Sequence, residues 1–512
     1  MVVKTITAAL QGIDATVVYC ETVTAPGIRV IMIGLPDMAV KESRDRIESA
    51  LLESGAKFPR KAVTINLAPA DVRKEGALYD VPIAVAVLAA DGAIPTDKLD
   101  QYMMVGELSL DGAVKPVKGC LPFAILAREM GLKGIIVPRE NGIEAAVVNN
   151  LEVRVADHLR DVLGFMKGES EMEILTLDTR EIFRQAERHY ACDFSDVKGQ
   201  SAVKRAFAIA AAGNHNLIMV GPPGAGKSMM AKCLPSILPP LSLSEALETT
   251  KVHSVAGFRS ETGLITQRPF RSPHHTVSSV ALIGGGANPM PGEVSLAHNG
   301  VLHLDELPEF QRTVLEVMRQ PLEDRQITIA RAKNTVTYPA SVMLVASMNP
   351  CPCGYYSHPT RPCICSETQV KKYLARVSGP LLDRIDIQID IIPLSFEEVS
   401  KTTKAESSEE IRKRVVAARA IQQERFKDHP LIHSNSQMTP AMLREFCVLD
   451  DKSLSLIQKA MTKLDLSARA YDRILKVART IADYEGSEKI TSAHVAEAIS
   501  YRNLDRSSWG QG

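Results

Sequence analysis

Short apolar runs alternate with amphipathic segments over the first third of the chain. IRVIMIGL, AVTINLA and GIIVP have the length of β-strands, whereas ESRDRIESALLES and CLPFAILAREMG have the length and spacing of helices. Alternation of this kind predicts an α/β or α+β domain over residues 1–165. A polar and charged stretch over residues 166–192 follows, and we interpret it as a linker that is helical in part.

A second α/β pattern covers residues 193–395, where apolar strands again precede helical segments. After Pro393 the pattern becomes helical, with segments such as SSEEIRKRVVAARAIQQERF and ARAYDRILKVARTIADYE. Residues 396–512 are therefore predicted to form a helical domain, and Thr491 occupies the N-cap position of its last helix.

Composition adds little to this picture. The chain has 512 residues, too many for a single core, and its 45% hydrophobic and 23% charged content is ordinary for a soluble protein. Its formal net charge is zero, so a nucleic-acid-binding surface would have to be a local patch. The apolar runs are too short to cross a bilayer, and the first residues lack the pattern of a signal peptide. Nine cysteines, mostly scattered, fit a reducing compartment, and we expect a cytoplasmic protein without membrane contact.

The stretch NLIMVGPPGAGKSMMAKCL carries the strongest chemical signal. The predicted strand Leu217–Val220 runs into a sequence of the form G-x-x-x-x-G-K-S, and a helix follows. In such a loop the backbone N–H groups surround a phosphate, Lys227 contacts the β- and γ-phosphates of ATP, and Ser228 binds Mg²⁺. A chance glycine turn is the alternative, and the strand–loop–helix context argues against it. The predicted nucleotide-binding residues are Gly221, Pro222, Pro223, Gly224, Ala225, Gly226, Lys227 and Ser228.

Two further strands end in polar residues. GVLHLDEL places Asp305 and Glu306 after an apolar strand, where Asp305 is expected to bind Mg²⁺ and Glu306 to polarise the attacking water. SVMLVASMN places Asn349 at the end of the next strand, where its amide can orient the same water. A solvated acidic pair and a turn asparagine are the alternatives. We predict that Glu306 and Asn349 are catalytic.

Several long phrases resemble the AAA+ ATPases, and within them the magnesium-chelatase subunit I-like group and its ComM/YifB subfamily. They are VKGQSAVKRAFAIAAAGNHN, RPFRSPHHTVSSVALIGGGANPMPGEVSLAHNGVLHLDELPEF, MNPCPCGYY and SARAYDRILKVARTIADYEG, and they lie within residues 190–500. The resemblance implies a P-loop AAA+ core over residues 193–395 and a C-terminal helical lid over residues 396–512.

The resemblance also implies roles for arginines outside the phosphate-binding loop. GPLLDRIDIQI looks like the segment that carries the arginine finger, which would be Arg384 and would reach the γ-phosphate bound by a neighbouring subunit. A finger of this kind implies a ring, and we expect a hexamer. LSARAY looks like the sensor-2 segment, with Arg469 as the predicted residue and Arg473 as its competitor. A surface ion pair is the alternative for all three arginines.

A basic hairpin and a histidine pair lie between these motifs. ITIARAKNTVTYP is predicted to be a hairpin, and in related ring helicases the hairpin at this place points into the central pore. Arg331 and Lys333 are accordingly candidate DNA contacts, with a solvated turn as the alternative. RPFRSPHHTVS contains two adjacent histidines without a third ligand at helical spacing, so we interpret it as a structural or substrate-facing loop.

The first domain is similar to the proteolytic domain of Lon in RKEGALYDVPIAVAVLAADG and GELSLDGAVKPVKGCLPFAILAREMGLKGIIVPREN. The implied fold is Lon-protease-like, of the ribosomal S5 domain 2-like α+β type. Lon uses a Ser–Lys dyad, and the aligned positions here hold Leu78 and Leu121. Lys118 lies nearby but has no serine partner. We therefore expect a Lon-like domain without peptidase activity.

Four cysteines follow Asn349 in NPCPCGYYSHPTRPCICSE. Cys351, Cys353, Cys363 and Cys365 could form a Cys₄ zinc site, although one residue between paired ligands is fewer than usual. A structural loop with reduced thiols is the interpretation that the spacing favours, and zinc is the alternative left open.

The resemblance implies a ring ATPase that remodels DNA, by branch migration or helicase activity in recombination or natural transformation. The alternative is a chelatase-like motor that remodels a protein partner. A protease-linked unfoldase is disfavoured because both dyad positions hold leucine. ATP and Mg²⁺ are the expected cofactors, and single-stranded or branched DNA is the expected partner.

Overall fold

The structure is a computed structural model. It describes residues 2–185, 190, 192–286, 289–330, 335–356, 358–393, 406–429, 432–464 and 466–502. The described residues divide into two compact units. The first unit comprises the described residues within 1–187, 242–266 and 330–338. The second unit comprises the described residues within 188–241, 267–329 and 339–512. The predicted boundaries at 165, 192 and 395 stay predictions.

The first unit is built around an eight-stranded sheet. Its strands are Val3–Gln11 (β1), Asp14–Ala25 (β2), Val30–Ile33 (β3), Ala62–Ala68 (β4), Tyr102–Met104 (β5), Gly134–Pro138 (β8), Glu152–Ala156 (β9) and Ile174–Leu175 (β10), and the short strands Glu107–Leu108 (β6) and Val114–Lys115 (β7) pair separately. The order is β10-β9-β8-β5-β1-β2-β4-β3. Strand β2 is antiparallel to both of its neighbours, β1 and β4, whereas β1, β5, β8 and β9 are parallel. This mixture of antiparallel and parallel pairs is an α+β arrangement.

Eight helices of the described chain belong to the first unit. They are Met38–Lys41, Ser43–Glu53, Asp80–Ala90, Cys120–Glu129, Arg139–Ala146, Leu159–Lys167, Thr179–Gln185 and Leu243–Ala256. Helix Asp80–Ala90 is apolar on all sides after its first residue and is almost completely buried, as expected for a core helix. Helix Leu243–Ala256 packs against Cys120–Glu129, although more than 100 residues separate them in the sequence. It begins at the N-cap Ser242, which accepts a hydrogen bond from the Glu245 N–H, and it ends at Gly257 with φ 88°.

The second unit contains a five-stranded parallel sheet in the order β12-β15-β18-β11-β19. Its strands are Leu217–Val220 (β11), Phe270–Arg271 (β12), Val301–Leu304 (β15), Met343–Met348 (β18) and Ile387–Asp390 (β19). The short strands Gly284–Gly285 (β13) and Met290–Pro291 (β14) also lie in this unit. The described chain further contains Gln326–Ala330 (β16) and Thr335–Pro339 (β17), of which residues 330–338 are assigned to the first unit. Strands β11, β15 and β18 are buried along their whole length, as expected when helices cover both faces of a parallel sheet. Their carboxyl ends meet at one edge of the sheet, which is where ligands bind in such folds.

Helices surround this sheet and dominate the end of the chain. The α-helices are Ser201–Gly213, Lys227–Cys233, Ser279–Ile283, Glu293–Leu296, Arg312–Val317, Arg319–Asp324, Glu367–Leu374, Gly379–Leu382, Ser408–Arg425, Pro440–Phe446, Asp451–Leu464, Ala468–Tyr484 and Ser492–Ser500. The 3₁₀ helices are Phe194–Asp196, Leu234–Ser236, Leu307–Glu309 and Asn435–Gln437. The helix Ser492–Ser500 begins after Thr491, as the sequence predicts. Where the chain is described, no helix has both the length and the apolar character needed to cross a bilayer.

A buried polar network joins the helix Ala468–Tyr484 to the start of strand β19. Asp386 is 2% exposed, and its Oδ2 lies 2.9 Å from the Nδ1 of His215 while its Oδ1 is paired with Arg473. The Nε2 of His215 lies 2.8 Å from the hydroxyl of Thr480. Burial alone would raise the pKa of Asp386, but the charge of Arg473 and the contact with His215 hold it well below its usual value. Asp386 is therefore ionised, and the network fixes this helix to the sheet.

Candidate nucleotide-binding site

The loop after β11 has the backbone geometry that a phosphate-binding loop requires. Gly224 and Gly226 have φ angles of 79° and 81°, and a Cβ atom on either would meet no heavy atom within 4 Å. Gly221 differs, because a Cβ atom there would lie 2.7 Å from the carbonyl oxygen of Ile391. Positive φ selects glycine at two positions, and close packing against β19 selects it at the third. The helix Lys227–Cys233 follows directly.

Lys227 connects this loop to the end of β18. Its ammonium group donates hydrogen bonds to the carbonyl oxygens of Gly221 at 2.7 Å and Pro222 at 2.9 Å, and to the Oδ1 of Asn349 at 3.1 Å. Burial lowers the pKa of Lys227, and the negative charges of Asp305 and Glu306 oppose that shift. The structure therefore brings together Lys227 and Asn349, which are 122 residues apart in the sequence.

Asp305 accepts hydrogen bonds from two hydroxyl groups. The Oγ of Ser228 lies 2.6 Å from its Oδ2, and the Oγ of Ser347 lies 2.5 Å from its Oδ1. Burial would raise the pKa of Asp305, but these two hydrogen bonds, with a smaller contribution from His303, lower it below its usual value. Ser347 and His303 were not singled out from the sequence, because each lies inside an apolar strand where only the side-chain direction reveals its neighbours.

His303 lies beneath the carboxylate, in the interior of the sheet. Its Nδ1 is 3.1 Å from the hydroxyl of Ser272, and its Nε2 is 3.3 Å from the hydroxyl of Ser347. Burial lowers the pKa of His303, although the charge of Asp305 opposes the shift. The imidazole of His303 lies between two hydroxyls and supports Ser347, whose hydroxyl donates to Asp305.

Glu306 projects from the same turn in an unusual backbone conformation. Its φ is 53°, in the left-handed region that non-glycine residues rarely occupy, and its side chain is 58% exposed. The Nδ1 of His275 lies 3.6 Å from its Oε2, and the ring of His275 lies against that of His274 with centroids 4.0 Å apart. The loop RPFRSPHHTVS therefore brings a histidine to the predicted catalytic carboxylate. No sequence spacing relates position 275 to position 306.

The chemical groups at this edge fit Mg²⁺ and a nucleotide phosphate. The Ser228 hydroxyl and the Asp305 carboxylate are oxygen donors, which are the ligands that Mg²⁺ prefers. The glycine loop and the Lys227 ammonium supply the N–H donors and the positive charge that a phosphate needs.

The four cysteines after Asn349 also form a cluster. The Sγ of Cys351 lies 3.3 Å from that of Cys353 and 3.7 Å from that of Cys363, and the Cys353 and Cys363 sulfurs are 3.6 Å apart. All four sulfurs, including that of Cys365, lie within 4.8 Å of one another, and all four residues are free cysteines. Among the described residues, these are the side chains whose ligand atoms are grouped in a way that suits a metal ion.

Comparisons with known proteins cover the whole length of the chain. The family model of magnesium chelatase, subunit ChlI, matches residues 193–399, a model of subunit ChlI of Mg-chelatase matches residues 21–141, and a model of the ChlI C-terminal region matches residues 405–502. The uncharacterized protein YifB of Escherichia coli is 44% identical over 503 residues, which are 98% of this chain and 97% of YifB. The competence protein ComM of Haemophilus influenzae is 42% identical over 502 residues, 97% of each chain.

The chain belongs to the ChlI-like family that contains YifB and ComM. This confirms the resemblance inferred from the sequence. ChlI-family proteins are AAA+ ATPases, and membership of the family implies the use of ATP and Mg²⁺. Proteins of this family commonly assemble into rings. The Lon protease of Bacillus thuringiensis is 32% identical over 157 residues, which are 28% of this chain and 19% of that protein, so the similarity to Lon is partial.

The arginine that the family resemblance assigns as the finger lies outside the Lys227–Asp305 group of its own chain. Arg384 donates to the carbonyl oxygen of Pro380 at 2.7 Å and pairs with Glu323, and its side chain is 11% exposed. Its Nε is buried and has no hydrogen-bond partner among the described residues. The structure thus keeps Arg384 apart from the phosphate-binding loop of the same chain and leaves one of its donors unsatisfied.

The two sensor-2 candidates differ in their surroundings. Arg473 is paired with the buried Asp386, which ties it to the core network. Arg469 is 67% exposed, and its nearest carboxylate contact is Asp383, at 3.9 Å. Arg469 is therefore free to move toward a ligand, whereas moving Arg473 would leave a buried charge unpaired.

The Lon-like positions contain no reactive pair. Leu121 is completely buried, and Leu78 packs against the core of the first unit. The backbone N–H of Leu121 donates to the Oε1 of Glu144 at 2.9 Å. Glu144 is 4% exposed and also contacts the hydroxyl of Ser254 and, at 3.3 Å, the amide of Asn141. Burial raises the pKa of Glu144, and these hydrogen bonds only partly oppose the shift.

The candidate DNA contacts Arg331 and Lys333 lie outside the described residues, between β16 and β17.

Proposed function

We propose that this protein is a ring-forming AAA+ ATPase that couples ATP hydrolysis to the remodelling of DNA. The observation that supports the hydrolytic part is a set of two hydrogen-bonded pairs, Lys227 with Asn349 and Ser228 with Asp305, at the edge where three buried parallel strands end. Each of these side chains is of the type that phosphoryl transfer requires, and together they come from three separate motifs.

The proposed roles follow from the chemistry of each group. Lys227 and the backbone N–H groups of residues 224–228 would hold the phosphates, while Ser228 and Asp305 would hold Mg²⁺, which supplies positive charge to the transferring phosphoryl group. Glu306, on the exposed turn after β15, polarises the attacking water, and Asn349 orients it. His275 positions the Glu306 carboxylate through its contact at 3.6 Å.

The ring is proposed from the position of Arg384 and from the family. A finger acting on a neighbouring subunit need not contact the phosphate-binding loop of its own chain, and Arg384 contacts Pro380 and Glu323 instead. Its buried Nε–H has no hydrogen-bond partner among the described residues, so a change in the position of this side chain on subunit assembly would lose no hydrogen bond at Nε. We take the assembly to be a cytoplasmic hexamer in which Arg469 acts as sensor 2.

The DNA substrate is proposed from the relative named competence protein ComM and from two basic residues of the sequence. ComM matches 97% of the chain. Arg331 and Lys333 lie in the sequence between β16 and β17, and contacts of lysine and arginine with phosphates are independent of sequence. Branch migration or helicase activity needs this kind of contact, because the motor must move along many sequences.

A second candidate function is the remodelling of a protein partner. Models of the magnesium chelatase subunit match all three parts of the chain, including residues 21–141, and this observation favours a chelatase-like motor. We rank it second, because a relative that matches nearly the whole chain is named a competence protein.

The test is the ATPase activity of the full chain with no DNA, single-stranded DNA and branched DNA, at two salt concentrations. Wild type is expected to hydrolyse ATP faster with DNA, and less so at high salt. Lys227→Ala is expected to lose activity at least about 100-fold, the scale seen when one charge-stabilising group is removed. Lys232→Ala is the matched control, since Lys232 is on the same helix and exposed.

The outcomes separate the two candidates. ATP hydrolysis without DNA binding, DNA stimulation or strand exchange would remove the DNA motor and leave the protein-remodelling motor. Activity in Lys227→Ala equal to that of Lys232→Ala would remove the assignment of the nucleotide site itself.

A further inference from the structure

The loop after Asn349 forms a four-sulfur cluster, defined by Cys351, Cys353, Cys363 and Cys365. The sulfur–sulfur distances between the first three are 3.3, 3.7 and 3.6 Å, whereas a disulfide bond is about 2.0 Å long. Four thiolates about 2.3 Å from a tetrahedral zinc ion lie about 3.8 Å from one another. The sulfur positions therefore match a tetrahedral Cys₄ site far better than they match a pair of disulfides.

The backbone of the loop folds back on itself at the first cysteine pair. The N–H of Gly354 donates to the carbonyl oxygen of Cys351 at 3.0 Å, which closes the turn that carries Cys351 and Cys353. The single residue between paired cysteines argued against zinc in the sequence, but the loop returns and brings the second pair against the first.

We propose that this cluster binds one structural zinc ion. Each cysteine supplies one sulfur, so the four-coordinate site is closed and leaves no position for a substrate. On binding, the thiols lose their protons to solvent and form Zn–S bonds, with no oxidation or reduction. The ion therefore acts by holding the loop and takes no part in chemistry.

The loop that the ion would hold packs against the phosphate-binding loop. A Cβ atom on Gly354, between the two cysteine pairs, would lie 2.5 Å from the Cδ of Pro223. The loop begins next to Asn349, whose Oδ1 accepts from Lys227 at 3.1 Å. On the outer side, Arg361 donates to the hydroxyl of Tyr355 at 3.0 Å and lies over its ring. Zinc would thus fix Asn349 and Pro223 relative to each other. The expected effect of zinc on ATP turnover rests on the proposed function, whereas the metal site itself does not.

The direct test is the metal content of the reduced, full-length protein, purified without a metal-affinity tag. One zinc per chain is expected, and release by a mercurial reagent should consume four thiols for each zinc. Replacement by Co²⁺ should give the visible d–d bands and the sulfur-to-cobalt charge transfer of tetrahedral thiolate coordination. Reduced protein that contains no zinc and gives no such spectrum with Co²⁺ would overturn the proposal, whatever its ATPase activity.

The variant test uses Cys363→Ser combined with Cys365→Ser, with Cys192→Ser as the control. Cys192 lies outside the cluster. The double variant should lose zinc and the cobalt spectrum, and the control should keep both. Full zinc occupancy in the double variant would refute the site. If that variant does not fold, the cobalt spectrum of the wild-type protein still decides whether the site exists.

Removal of zinc should lower ATP turnover in excess Mg²⁺ if the proposed function is correct. Protein that binds zinc but has no ATPase activity would refute the proposed function and leave the zinc site standing.

Discussion

The phosphate-binding edge of the second unit and the Lon-like positions of the first unit hold different kinds of side chain. At the edge, Ser228 is hydrogen-bonded to Asp305 and Lys227 is hydrogen-bonded to Asn349, beside the exposed Glu306. At the Lon-like positions, Leu121 and Leu78 pack into the core.

The carboxyl group that accepts a hydrogen bond from Leu121, that of Glu144, shows the same contrast. Glu144 is closed in by Ser254, Asn141 and the N–H of Leu121, and burial raises its pKa, whereas Asp305 is held ionised by two hydroxyl groups. One set of polar groups lies at the edge where parallel strands end, and the other is turned into the core. A fold can therefore persist after its reactive residues are replaced, because its core needs volume and apolar surface and does not need the chemistry.

The largest expected effect is on turnover, at the arginine assigned as the finger. Arg384→Ala should lower the ATPase rate about 10³–10⁵-fold while ATP binding remains close to normal, because in the proposed ring its guanidinium would stabilise the transition state formed in the next subunit. Arg376→Ala is the control, since Arg376 is 53% exposed and pairs with Glu309. The measurements are steady-state turnover and nucleotide binding.

Mixing tests whether the finger acts between subunits. A ring of Lys227→Ala and Arg384→Ala subunits contains interfaces with an intact loop on one side and an intact arginine on the other. Mixed rings should therefore recover part of the activity that each variant lacks alone. Mixtures that stay inactive although both variants form rings would show that Arg384 does not act across the interface.

Sequence reasoning located the edge of the second unit because its signals are local. The strands β11, β15 and β18 end where the apolar runs end, and the parallel arrangement then brings Lys227 and Asn349 together. Helix starts are local as well, as Thr491 shows. The roles of these residues stay predictions.

What the sequence did not reveal depends on distant contacts. The contact of Ser254 with Glu144 joins residues 110 apart, and it places the helix Leu243–Ala256 in the first unit. The contact of His275 with Glu306 is of the same kind. Periodicity reports which face of an element is buried, but not which other element covers that face.

The second largest effect is expected at the Lon-like positions of the first unit, where a substitution removes volume from the core. Leu121→Ala should destabilise the first unit by about 2–5 kcal/mol, because a fully buried leucine leaves a cavity. Leu110→Ala, at a side chain that is 61% exposed, should cost little. The measurement is urea unfolding followed by circular dichroism, together with ATP turnover per folded chain. Turnover that falls with Leu121→Ala while stability holds would mean that this position has a functional role after all.

The smallest effect concerns the pH dependence of the first unit. The folded-state pKa of Glu144 is raised, so its contribution to stability is complete below the ordinary glutamate pKa, about 4.3. That contribution is then lost as the pH rises through the raised value, at up to about 1.4 kcal/mol per pH unit. Glu144→Gln keeps the shape and the acceptor oxygen toward Leu121 but cannot ionise, so unfolding of the first unit should depend less on pH in this window. Glu140→Gln is the control, because Glu140 is an exposed partner of Arg259. If the free energy of unfolding of Glu144→Gln depended on pH as steeply as that of wild type, another group would be titrating. The inward-facing carboxyl group would then not be what distinguishes this region from the phosphate-binding edge.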